Sequence, residues 1–181
     1  MQLISGLVVV LMATQPSAPA PDRSTTTGAA IGTYRTVKGY IQRSAEKMPA
    51  DQFGFQPTPE VRSFGQVLAH IADGNYLLCA PALGEPSPNE AVMDKIEKDK
   101  LSREALLKAL NESFAFCDKA YDKLTEATGN ERVSFMKQER TRAGLLWFHA
   151  VHSFEHYGNL VTYMRLKGIV PPSSEPRPGS R

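Results

Sequence analysis

Three of the four histidines of this 181-residue chain, His149, His152 and His156, fall within one eight-residue stretch. At about 100° per residue, His152 and His156 lie one helical turn apart and are offset by roughly 40°, so both imidazoles can converge on a single ion. His149 lies one turn earlier on the same stripe. That stripe interleaves with Leu145, Phe148, Leu160 and Tyr163, which directs the imidazoles into a protein interior. A buried imidazole needs a partner. A core histidine bonded to a carbonyl or a tyrosine is the ordinary solution, and His149 is assigned to it. The i, i+4 pair is read as two ligands of a divalent metal, with His70, in SFGQVLAHIADGNY, as the third ligand from a facing helix. Three imidazoles leave one position for water, whose pKa the ion lowers toward neutrality, as in catalytic rather than structural sites. Zn or Ni suits this donor set best, and Fe or Cu can also occupy it.

The same helix carries a candidate base. The string HSFEH, 152–156, fits the H-x-x-E-H pattern of certain metallopeptidases, in which the glutamate is the general base. Those enzymes need a further acidic ligand far downstream in a larger domain, and here only Glu175 follows, in a Pro-rich tail. The peptidase assignment is therefore set aside. Glu155 is kept as the catalytic candidate, close enough to His152 and His156 to orient a water or to bond a ligand's second nitrogen. Its alternative is a solvent-facing carboxylate on a helix edge. Asp73, at i+3 from His70, is the protein group that would close the open position if the centre were structural. Trp147, Tyr157 and Tyr163 flank the site and are read as core, and Arg165 as a cation favoured by a helix C-terminus.

Four amphipathic helices must position these residues. The first, Gly28–Met48, repeats Ile31, Tyr34, Val37, Ile41, Ala45 and Met48 at spacings of three and four. After the breakers Pro49, Pro57 and Pro59, Ser63 is placed to cap a second helix from Phe64 to about Ala80, ended by Pro81. Ala82–Lys100 is a long crossover with at most one short helix near Asn89–Lys98. Ser102 caps a third helix, whose seam is Leu107, Leu110, Phe114, Cys117, Tyr121 and Leu124. The fourth, Thr141–Lys167, is stopped by Gly168 and Pro171-Pro172, and the tail 173–181 is expected to fray. No alternating strand pattern or hairpin signal separates these segments. The fold class is all-α, a four-helix bundle with long crossover connections over 28–172.

Composition narrows the function classes. Twenty-one Lys+Arg against nineteen Asp+Glu, a net charge of +2 with no long run of one sign, gives no footprint for nucleic acid. The apolar run Leu3–Ala13 is shorter than the roughly 18–20 residues a bilayer core requires, so no stable membrane insertion is expected. Followed by TQPSAPAP, it reads as an export signal over 1–20, with 21–27 as linker; the alternative is a disordered tail from a misassigned start, which would leave the protein cytoplasmic. Export to the periplasm or beyond would make Cys79 and Cys117, the only two cysteines, a disulfide between the second and third helices. The partner expected is a small-molecule substrate, and a homodimer is the one protein partnership considered.

The mid-helix His70 in SFGQVLAHIADGNY, with HSFEHYGNLVTYMRLKGIVPPSS, resembles the DinB/YfiT-like family of metal-binding four-helix bundles across nearly all of the chain after the leader. The most specific part is the H-x3-H-Y-G-N tail with its Y-x-R-x-x-G-x-x-P-P continuation. The resemblance implies His70, His152 and His156 as the metal triad. Asn159 stands where the family usually has Gln. It further implies either a metal-dependent hydrolase or a metal-dependent thiol S-transferase that presents a low-molecular-weight thiol as thiolate. Export argues against a cytosolic thiol co-substrate, which ranks the hydrolase first. A non-enzymatic protein whose bundle is held by the metal is the third reading.

Overall fold

In the computed structural model, which describes residues 21–90 and 94–176, each long helix begins at a side-chain cap. Thr25 accepts from Gly28 N–H and starts α1, Thr26–Lys47, two residues before the expected Gly28. Tyr34, Val37, Ile41, Ala45 and Met48 form its buried face, as their spacing predicts. Ser63 and Gln66 form a reciprocal capping box at the start of α2, Phe64–Leu83.

This helix does not end at Pro81. It runs on to Gly84, whose φ of 74° closes it in the left-handed region. Pro81 lies in the last turn, where only one backbone bond, to the carbonyl of residue 77, is lost. Among the described residues the crossover contains one short helix, α3, Lys95–Lys98, within the 89–98 expected. Ser102 caps α4, Arg103–Asp122, and Thr125 caps a further turn, α5, Glu126–Gly129.

The region before the last helix departs from expectation. Arg132–Phe135 (β1) and Gln138–Thr141 (β2) pair antiparallel, with Arg132 opposite Thr141 and Phe135 opposite Gln138. The two-residue turn is Met136-Lys137, with φ of 50° and 63°. Hairpin turns of this hand are ordinarily marked by Asn or Gly, which is why the sequence carries no signal for it. Thr141 then caps α6, Arg142–Leu166, which stops at Gly168 as expected.

The four long helices pack in the cyclic order α1, α6, α2, α4, so α2 lies between α4 and α6. From Val67 to Leu83 only Leu77 and Pro81 escape full burial. The Cys79–Cys117 disulfide joins α2 to α4, with Cα atoms 5.3 Å apart. Tyr34 and Tyr121 stack at 3.8 Å between ring centres in the core, and the Tyr34 hydroxyl donates to Asp118 at 2.8 Å.

Phe148 is the exception to the expected α6 stripe. It is 44% exposed, because the buried face runs through Leu145, His149, Ser153, His156 and Leu160. The hairpin flanks it instead, and the Arg140 guanidinium lies 5.8 Å from the Phe135 ring and 5.7 Å from that of Phe148. Within the tail expected to fray, Tyr157 donates to Ser173, Arg165 to Ser174, and Glu175 pairs with Arg43 and Lys47. Among the described residues no helix is long and apolar enough to cross a membrane, and the leader expected over 1–20 lies outside them.

Candidate metal centre

His70 projects from the middle of α2, and His152 and His156 from successive turns of α6. One nitrogen from each falls within 4.8 Å of the other two. The Nε2 atoms of His152 and His156 are 3.1 Å apart, near the edge of about 3.4 Å that Zn–N bonds of about 2.1 Å give a tetrahedron. The His70 ring centre lies 5.3 Å from that of His152 and 4.6 Å from that of His156.

Burial, reinforced by the neighbouring imidazoles, lowers the pKa of His152 to about 4. Burial, with the charges of His70 and Arg62, takes His156 to about 4 as well. Both are therefore neutral and present lone pairs at ordinary pH, the form that a metal binds. Three imidazoles with no carboxylate among them are a donor set for a borderline divalent ion, so the residues fit the group they were expected to hold.

His149 is separate from this cluster. It is fully buried and lowered to about 3, chiefly by burial. Its Nε2–H donates to Asn75 Oδ1 at 2.8 Å, and the Asn75 amide donates to Ser113 Oγ at 2.9 Å. Tyr121 Oη stands 2.9 Å from its Nδ1. This is the satisfied core histidine the sequence suggests. The nearby pair Cys79 and Cys117 is consumed by the disulfide.

Asp73 does not close the centre. Fully buried, it accepts from Ile96 N–H at 3.0 Å, Glu97 N–H at 3.3 Å and the Asn89 amide at 2.9 Å, so it fastens the crossover to α2. Burial raises its pKa against those bonds. Another carboxylate of the crossover reaches the cluster: Asp94 Oδ1 lies 3.0 Å from His70 Nδ1. The bond to His70, with the charges of His70 and Arg62, holds Asp94 below the usual carboxylate range. Arg62 Nε donates to Glu97 at 2.9 Å.

Gly74, one turn beyond His70, allows α6 to approach. A Cβ there would stand 2.6 Å from His152 Cε1. Asp94 and Arg62 carry no mark in the sequence, since both act across long separations. Gly74 has one, because a glycine inside a helix interior is unfavourable by about 1 kcal/mol against alanine and calls for a packing reason.

Beside the cluster opens a cleft of about 620 Å³, lined among others by Arg62, Gln66, Glu97, Glu155, His156 and Asn159. Glu155 is exposed on its wall and makes no hydrogen bond or ion pair among the described residues. The Asn159 amide is 3.4 Å from His156 Nδ1. Tyr163 lines the cleft and donates to the Arg62 carbonyl at 2.9 Å, whereas Tyr157 stacks on Tyr40 and Trp147 packs against the core.

The chain resembles several solved structures in fold. A mycothiol-dependent maleylpyruvate isomerase superposes with a TM-score of 0.62 at 17% identity over 76% of this chain, which spans only 62% of that protein. A DinB-like protein from Bacillus cereus gives a TM-score of 0.64 at 14% identity, covering 78% of this chain and 94% of the other. YfiT from Bacillus subtilis, described as a probable metal-dependent hydrolase with an unusual four-helix bundle topology, gives 0.61 at 17% identity over 87% and 94% of the two chains. No curated protein sequence matches the chain. The DinB superfamily model matches residues 33–160, a span that contains all three clustered histidines and most of the bundle that holds them, and the chain belongs to that superfamily.

Proposed function

We propose that the protein is a metal-dependent hydrolase whose ion is held by His70, His152 and His156. The observation that carries this reading is the convergence of three imidazole nitrogens within 4.8 Å beside an open cleft. A divalent ion in such a site supplies Lewis-acid chemistry, polarising a carbonyl or phosphoryl group and acidifying water.

The chain supplies the rest. Glu155, exposed and unpaired on the cleft wall, takes a proton from the attacking water at its carboxylate and delivers it to the leaving group. The Asn159 amide nitrogen stands 3.4 Å from His156 Nδ1 and steadies that ring beside the cleft. Asp73 serves the crossover, so the centre keeps a position for substrate. Export fits this reading, because a buried disulfide persists in an oxidising compartment.

The test is elemental analysis of protein lacking residues 1–20, purified without a metal-affinity tag. About one equivalent of metal is expected in the wild type and little in His152→Ala. Glu155→Gln should retain the metal yet lose about 100-fold or more of hydrolysis on a panel of esters, amides and phosphoesters. A wild-type chain that holds no metal after incubation with Zn or Ni would overturn the proposal. The fold shared with a thiol-dependent isomerase makes thiol transfer the second activity to assay on the loaded protein.

A further inference from the structure

The crossover between α2 and α4 is tied to α2 and the residues before it at three points, one of which is a ligand candidate. Asp73 of α2 takes the backbone N–H groups of Ile96 and Glu97. Arg62, just before α2, donates to Glu97 at 2.9 Å and lies 3.6 Å from Asp94. Asp94 itself meets His70 Nδ1 at 3.0 Å from a backbone with φ 59°, in the left-handed region that Asp tolerates better than most residues.

An imidazole has two nitrogens, and the partner of one decides what the other can do. A carboxylate at Nδ1 requires the proton there, which leaves Nε2 with its lone pair. We propose that Asp94 is the positioning residue of the centre: it holds His70 as the Nδ1–H tautomer, turns Nε2 into the ligand atom, and thereby makes the crossover a determinant of metal affinity. This rests on the three-histidine reading above.

A rival arrangement uses the same atoms. His70, Asp94 and Glu97 also bring one ligand atom each within 4.8 Å and could themselves hold an ion. The Arg62 guanidinium argues against it, since it already serves as the cation between these two carboxylates. One ion per chain follows, with Asp94 behind His70 and not bonded to metal.

The experiment uses ¹⁵N-labelled protein stripped with a chelator, long-range ¹H–¹⁵N spectra to read each imidazole tautomer, and then Zn²⁺ titration against a competing chelator. Wild type should show His70 protonated at Nδ1 and bind one Zn²⁺. Asp94→Gly removes the carboxylate and suits φ 59° without strain. It should lose that tautomer and bind Zn²⁺ about 10- to 100-fold more weakly, with helix content unchanged. Asp94→Asn keeps an acceptor and tolerates the same backbone. It should keep the tautomer with an affinity between the other two.

The proposal is overturned if Asp94→Gly retains both tautomer and affinity, if wild-type His70 carries its proton on Nε2, or if wild type binds two ions and Asp94→Gly one. A wild-type chain that takes up no Zn²⁺ would overturn the metal reading, whereas the tautomer measured on stripped protein decides the Asp94–His70 link by itself.

Discussion

The imidazole of His152 sits against the backbone of α2 only because residue 74 lacks a Cβ, which would stand 2.6 Å from Cε1. Gly74→Ala should raise intrinsic helix propensity by about 1 kcal/mol while displacing the ring. The expected outcome is at least about tenfold weaker Zn²⁺ binding in a competitive titration, with no comparable fall in the melting temperature of the metal-free chain. Affinity equal to wild type would show that the ring has room to move. At this scale the sequence was informative where chemistry is local. The i, i+4 spacing of His152 and His156, the odd mid-helix His70 and the core role of His149 were legible. Asp94 was not, because its bond to His70 spans 24 residues from a crossover with no periodicity to place it.

Two helices were legible through their caps: Ser63 and Ser102 each accept the first-turn N–H that their position predicts. The hairpin was not, because Met136 and Lys137 occupy positive-φ positions where Asn-Gly is the familiar signal. The same mismatch makes it improvable. Replacing Met136-Lys137 with Asn-Gly should relieve both positions and remove a methionine that is 67% exposed. An increase on the order of 1 kcal/mol is expected, the relieved left-handed strain less the extra entropy a glycine loses on folding. In a chain of this size that corresponds to roughly 1–4 °C in thermal unfolding. A fall in melting temperature would mean that the turn's side chains make contacts that outweigh backbone strain. Phe148 was misplaced for a related reason: residues on the flank of a helix stripe are assigned by whatever packs beside them, here Arg140 of the unforeseen strand.

For the molecule as a whole, the four-helix architecture followed from periodicity, whereas the cyclic order α1, α6, α2, α4 did not, since spacing within a helix says nothing of its neighbours. The disulfide is the one covalent link across that order, closing a sequence separation of 38. Cys79→Ala with Cys117→Ala should lower unfolding stability by about 2–4 kcal/mol. The melting temperature should fall by roughly 4–16 °C. Metal content should stay near one equivalent, because the link joins α2 to α4 and the histidines join α2 to α6. Loss of metal along with the disulfide would show that the two are coupled through α2.

That helix, buried along nearly all of its length, has a meaning for how such a protein can diverge. In a saturation mutagenesis scan, α2 should be the least tolerant segment, since almost every side chain there is also someone else's neighbour. On the proposed activity, variants that alter substrate preference should then gather on the cleft side of α6 and on the crossover, around Glu155, Asn159 and Glu97. Descendants of this sequence would keep the helix that carries His70 nearly fixed and acquire new chemistry from the segments that face it.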